Sequence, residues 1–145
     1  MSTGFGAMTG SNIFVDTAPV IYLVERNPAF VDKVSNFLAE SIQTNKNLVT
    51  SVLTISEIAI KPFKTSRPQL LSQFDKTIKS LFYVYLISWE VAELSAKLRA
   101  QYRSLKAIDS LQLASAIHYN CECFLTNDWQ LKMVKNIPIR VIKDL

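Results

Sequence analysis

Four acids stand in surroundings where acids are uncommon. Asp16 closes the short apolar run NIFVD, and Asp128 follows the apolar run CFLT. Glu57 lies inside VLTISEIAIKPF, next to Ile58, and Asp109 opens AIDSLQLASAIHY. The chain holds twelve acidic residues in all, and the other eight fall mostly on polar stretches. Carboxylates gathered in one pocket repel each other and raise each other's pKa. A divalent cation makes such a cluster tolerable. Oxygen donors from Asp and Glu favour magnesium or manganese over zinc. The single histidine and the two cysteines of the CEC stretch, Cys121 and Cys123, cannot supply a zinc site. One or two ions held by such acids can activate water and stabilise the charge that develops when a phosphodiester is cut.

Each acid also has a structural use. Asp16 and Asp128 precede helical stretches, where a carboxylate caps free N–H groups and complements the helix dipole. Thr54 to Glu57 reads as a capping box, and Asp109 sits in a first helical turn. Taken singly, capping accounts for each of them. What separates the two readings is whether the fold brings the four together.

The elements that must position them follow from periodicity. NIFVD, NLVTS, FYVYLI, CFLT and IRVI are short apolar runs with strand character. Between them lie amphipathic or apolar helical stretches. APVIYLVER tolerates Pro19 in its first turn. Val31, Val34, Phe37, Leu38 and Ile42 recur at helical spacing, as do Leu70, Leu71, Phe74, Ile78 and Leu81. Pro62 is expected to break the third helix, and KTSRPQ reads as a basic loop. Ser88 is a candidate cap for WEVAELSAKLRAQY. AIDSLQLASAIHY has few polar residues on any face and should be well buried. Strand alternating with helix predicts an α/β fold, with a mainly parallel central sheet of about five strands flanked by helices. In such sheets the functional crevice lies beyond the carboxyl ends of the strands. That is where Asp16 and Asp128 belong, and Glu57 follows the second strand by about two helical turns.

Composition fits one folded domain: 145 residues, 49% apolar, 19% charged. Residues 1–11 are expected to be a flexible N-terminal segment and residues 12–145 the domain. No apolar stretch approaches the roughly 20 residues needed to cross a bilayer. A basic start with an apolar core is missing from the first residues, so the expected location is cytoplasmic, with thiols reduced. The net charge of +4 permits a polyanionic partner without requiring one.

Together, NIFVDTAPVIYLVE, VTSVLTISEIAIKPF, AIDSLQLASAI and FLTND resemble, in order and spacing, the four acidic motifs of PIN-domain proteins, and most of all the VapC-type toxins of toxin–antitoxin pairs. The resemblance implies a magnesium- or manganese-dependent endoribonuclease with Asp16, Glu57, Asp109 and Asp128 as its acidic quartet. Thr126 would match the small hydroxyl residue that helps arrange the site. It further implies an RNA substrate, a cognate antitoxin that holds the toxin inactive, and a homodimer. The alternatives are a solitary PIN nuclease of RNA processing and a non-catalytic RNA-binding module. A receiver-like signalling domain would need a pair of acids after the first strand, where only Asp16 stands. Arg103 and Lys106, close to Asp109, and Lys61 and Lys64, after Glu57, are candidate contacts to RNA phosphates, although exposed charges are usually just solvated.

Overall fold

The computed structural model describes residues 10–145, so most of the N-terminal stretch read above as a loose segment lies outside the described residues. Five strands form one sheet: β1 (Asn12–Val15), β2 (Asn47–Ser51), β3 (Phe82–Tyr85), β4 (Cys123–Thr126) and β5 (Ile139–Val141). Six helices connect them: α1 (Thr17–Val24), α2 (Val31–Gln43), α3 (Val52–Lys64), α4 (Pro68–Leu81), α5 (Trp89–Gln101) and α6 (Ala107–His118). Every strand pair is parallel, and the spatial order is β3-β2-β1-β4-β5. The chain therefore builds outward from β1 to β3, then crosses and builds outward again through β4 and β5. β1 and β4 are neighbours at the point where the direction of winding reverses. That reversal opens a crevice at their carboxyl ends.

Alternation along the strands sends apolar side chains to both faces, as a sheet covered on both sides requires. Ile13, Val15, Leu48, Cys123 and Leu125 face one way and pack with Val20, Leu38, Ile58, Phe74 and Ile78 from α1 to α4. Phe14, Val49 and Phe124 face the other way and pack with Val91, Leu98 and Leu113 from α5 and α6. Phe14 and Phe124 are register partners across β1 and β4, and their rings stack at 5.2 Å. This pair locks together the two strands that carry Asp16 and Asp128.

The helix ends show how the sequence punctuates itself. Ser88 Oγ accepts the Val91 N–H at 3.2 Å and caps α5 as expected. Ser88→Ala should cost about 1 kcal/mol of stability, read from urea unfolding. An unchanged midpoint would show that water replaces the bond at no cost. The chain's three glycines all lie within its first ten residues. Left-handed residues that close helices are therefore asparagine, serine and arginine: Arg26, Asn45, Ser66 and Asn120 all have positive φ.

Two local expectations change. α3 does not break at Pro62 but continues to Lys64, and Thr65 and Arg67 N–H groups still bond the Lys61 and Pro62 carbonyls at 3.0 and 2.8 Å. Proline so near a helix end forfeits one N–H without disrupting the terminal hydrogen bonds. Thr54 is not a cap, because Ser51 fills that role by accepting the Leu53 N–H. Cys121 and Cys123 do not share a face. Strand β4 begins only at Cys123, and the two thiols join cores on opposite sides of the sheet. Both are free and buried. No helix among the described residues is long and apolar enough to cross a membrane.

Candidate active site

Asp16 is placed by the register of β1 on β4. Val15 is the partner of Leu125, and the Asp16 N–H extends the ladder to the Leu125 carbonyl at 2.9 Å. The next residue of β4 is Thr126, whose hydroxyl donates to Asp16 Oδ2 at 2.9 Å. Asp16 Oδ1 accepts the Thr17 N–H at 2.9 Å, so the same carboxylate caps α1. Capping and clustering are not rivals here, because one side chain serves both. The Thr126 hydroxyl also accepts the Asp128 N–H at 3.1 Å, which ties the two motifs through a single oxygen. Asp128 in turn caps a 3₁₀ helix over Trp129–Met133 by accepting the Gln130 N–H at 3.0 Å.

Glu57 reaches the crevice from α3. Its Oε1 accepts the Thr17 hydroxyl at 2.7 Å, so Thr17 contacts Asp16 through its backbone and Glu57 through its side chain. Beneath them lies a buried polar network. Thr50 donates to the Val15 carbonyl at 2.8 Å and meets Thr54 at 2.7 Å. The Gln112 amide, fully buried on α6, donates to Thr54 at 2.8 Å and accepts from Ser51. The network joins β1, β2, α3 and α6 at one level.

Electrostatics couple the four acids, all of which are partly buried. Burial pushes the Asp16 carboxyl up to about 6, Asp109 and Glu57 add to the rise, and the Thr17 and Thr126 hydrogen bonds oppose it. Asp109 is also raised, first by burial and then by the charge of Asp128, with Glu57 contributing and Lys106 acting against them. Asp16 and Asp109 thus each feel other acids of the group. Among the described residues, however, no three Asp, Glu, His or Cys side chains stand close enough to form a ready-made metal cage.

A family model for the PIN domain matches residues 13–137, which is most of the chain. The chain belongs to the PIN domain family. Solved structures share the fold at low sequence identity. VapBC2 from Rickettsia felis, bound to a DNA fragment from its promoter, matches with a TM-score of 0.78 at 19% identity, over 90% of this chain and 98% of that one. FitAcB from Neisseria gonorrhoeae gives 0.72 at 17%, over 92% and 99%. VapBC-1 from nontypeable Haemophilus influenzae gives 0.71 at 18%, over 91% and 98%. No curated protein sequence matches the chain.

Within this PIN domain the basic candidates separate. Lys106 lies at the acids: it acts on Asp109 and lines a groove of about 350 Å³ with Asp109, Asp128, Trp129, Leu131 and Met133. Lys61 is engaged elsewhere, paired with Glu25 at 2.5 Å. Arg103 and Lys64 are exposed and do not line that groove. A larger cavity of about 490 Å³ opens at the opposite edge, before the starts of β2, β4 and β5. Its charges are balanced: Lys46 pairs with Glu122 at 3.0 Å, and Arg140 lies over the Phe37 ring. It offers no cluster of one sign to do chemistry.

Thr17, Thr50 and Gln112 were not anticipated as site residues, nor Thr54 in its actual role. A signal for them exists. Each is a polar residue inside an apolar run, in FVDTAP, LVTSVLT and DSLQLAS, and a polar group in the core must find a partner. Trp129 is 64% exposed and Trp89 78%.

Proposed function

We propose that this PIN domain is a divalent-metal-dependent endoribonuclease and the toxin of a toxin–antitoxin pair. One observation carries the reading. Four carboxylates gather at the switch point of a parallel sheet: Thr17 bonds both Asp16 and Glu57, Thr126 bonds both Asp16 and the Asp128 backbone, and Asp109 and Asp128 line one groove. PIN domains are in general divalent-metal-dependent, and this donor set fits such an ion. Magnesium needs only one or two carboxylates and keeps several waters. Oxygen donors without Cys or His suit magnesium or manganese better than zinc.

Of Asp16, Asp109 and Asp128, one or two would hold the ion directly and the others, with Glu57, directly or through water. A bound divalent ion lowers the pKa of coordinated water and offsets charge on the phosphate. The chain's own contributions are positional. Thr126 and the Thr17 N–H hold both oxygens of Asp16 in place. Thr17 fixes Glu57, and Lys106 offsets negative charge beside Asp109. The antitoxin and homodimer belong to the same proposal. Support for the antitoxin comes from the fold shared with two VapBC assemblies, one of them on promoter DNA.

Incubating the purified protein with RNA tests the reading directly. Magnesium or manganese should support cleavage, and EDTA should abolish it. Cleavage that persists at full rate in EDTA would remove the metal from the mechanism. Inducible expression then tests the toxin role. Growth should stop on induction and recover on co-expression of a neighbouring small reading frame. Growth arrest that no neighbouring product relieves would point to a solitary nuclease.

A further inference from the structure

We propose that the groove beside Asp109 and Asp128 is a nucleobase subsite in which the Trp129 indole is the face that an unpaired base of the substrate stacks upon. The proposal rests on the nuclease reading above and states where the strand next to the cut bond lies. Trp129 directly follows Asp128 and opens the 3₁₀ helix that Asp128 caps, so the ring is tied to the acids through a single rigid link. Packing does not use the ring. The helix is anchored by Leu131, which is 3% exposed, while Trp129 is left 64% exposed.

Charge decides what the groove accepts. Asp109 and Asp128 form part of its wall; the ion they would hold takes the phosphate at the cut bond, and any further phosphate in the groove would meet their carboxylates. A flat uncharged ring meets no such repulsion and gains an aromatic face, with Met133 and Leu131 beside it. Lys106 lines the same groove and is exposed, placed for the phosphate that flanks the base. Gln130 also lines it and offers an amide to a base edge. Bases in a duplex are already stacked, so this arrangement selects single-stranded RNA.

Binding and cleavage should be measured separately. A fluorescein-labelled short single-stranded RNA of random sequence is titrated in EDTA, with anisotropy as the readout, for wild type, Trp129→Ala and Trp129→Phe. Stacking on one aromatic face predicts a roughly ten- to hundredfold weaker affinity for Trp129→Ala and recovery of most of it in Trp129→Phe. With manganese added, Trp129→Ala should raise KM while kcat changes little. Because the ring is exposed, both variants should unfold at the wild-type temperature. A Trp129→Ala protein that binds and cuts the RNA as wild type does overturns the subsite while the nuclease reading stands, and would leave the ring to a protein partner. A wild type that neither binds nor cuts RNA overturns the nuclease reading and the subsite with it.

Discussion

Asp16→Asn should lose divalent-dependent cleavage by roughly a hundredfold or more, and the same protein should become more stable without metal. The two effects share one cause. Asp16 is the carboxylate that the fold holds most firmly, with Oδ1 on the Thr17 N–H and Oδ2 on the Thr126 hydroxyl. An ion held there contributes several kcal/mol of charge stabilisation, and each 1.4 kcal/mol is about tenfold in rate. An amide keeps the shape but removes the charge that draws the ion. The stability gain follows from linkage. Burial raises the folded Asp16 carboxyl to about 6, above its ordinary value. The folded state therefore favours the protonated acid. Its cost is absent below about pH 4, grows as pH rises towards 6, and is full above that. At pH 8 in EDTA, Asp16→Asn should be more stable than wild type by about 3 kcal/mol, a gain that should vanish near pH 4. Urea unfolding at both pH values measures it. Equal stabilities at pH 8 would mean that Asp16 is not strained by burial, and full activity in Asp16→Asn would remove it from catalysis.

The layout of the fold was legible because strands here are short apolar runs and helices are periodic. β2 and β4 run as read, β1 stops at Val15, just short of Asp16, and the parallel sheet follows from alternation alone. The resemblance implied only that Thr126 helps arrange the site; its bond to Asp16 follows from the register of Val15 on Leu125, which a sequence does not print. Side chains that act across elements were harder to see. Gln112 lies sixty-one positions from Ser51 and fifty-eight from Thr54, and only packing of α6 on the end of β2 brings them together. The reading of Thr54 as a cap failed because local pattern placed the helix start too late. Ser51, three residues earlier, ends β2 and caps α3 at once. Lys61 and Lys106 looked alike as exposed cations, and only the fold pairs one with Glu25 and sets the other against Asp109.

The second large effect is expected at Gln112, which touches none of the four acids. Its amide is fully buried and bridges Ser51 and Thr54. Gln112→Leu conserves most of the volume but leaves two hydroxyls in the core without that partner. An orphaned buried polar group costs about 1–3 kcal/mol, so the substitution should cost roughly 2–4 kcal/mol. The damage should also reach the site. Thr54 meets Thr50 at 2.7 Å, and Thr50 is bonded to the Val15 carbonyl one residue before Asp16. Thr54 also lies 3.4 Å from the Thr17 hydroxyl that holds Glu57. A looser Thr54 should therefore lower kcat several-fold in protein that is still folded, while leaving RNA affinity in EDTA unchanged. Thr54→Val tests whether the network acts as a unit. Combined with Gln112→Leu, it removes both ends of one bond, so the double variant should be less destabilised than the sum of the singles, by about 1 kcal/mol. Additive losses in urea unfolding would show that Gln112 and Thr54 act separately, and that the polar layer under Asp16 is packing rather than a support for the acids above it.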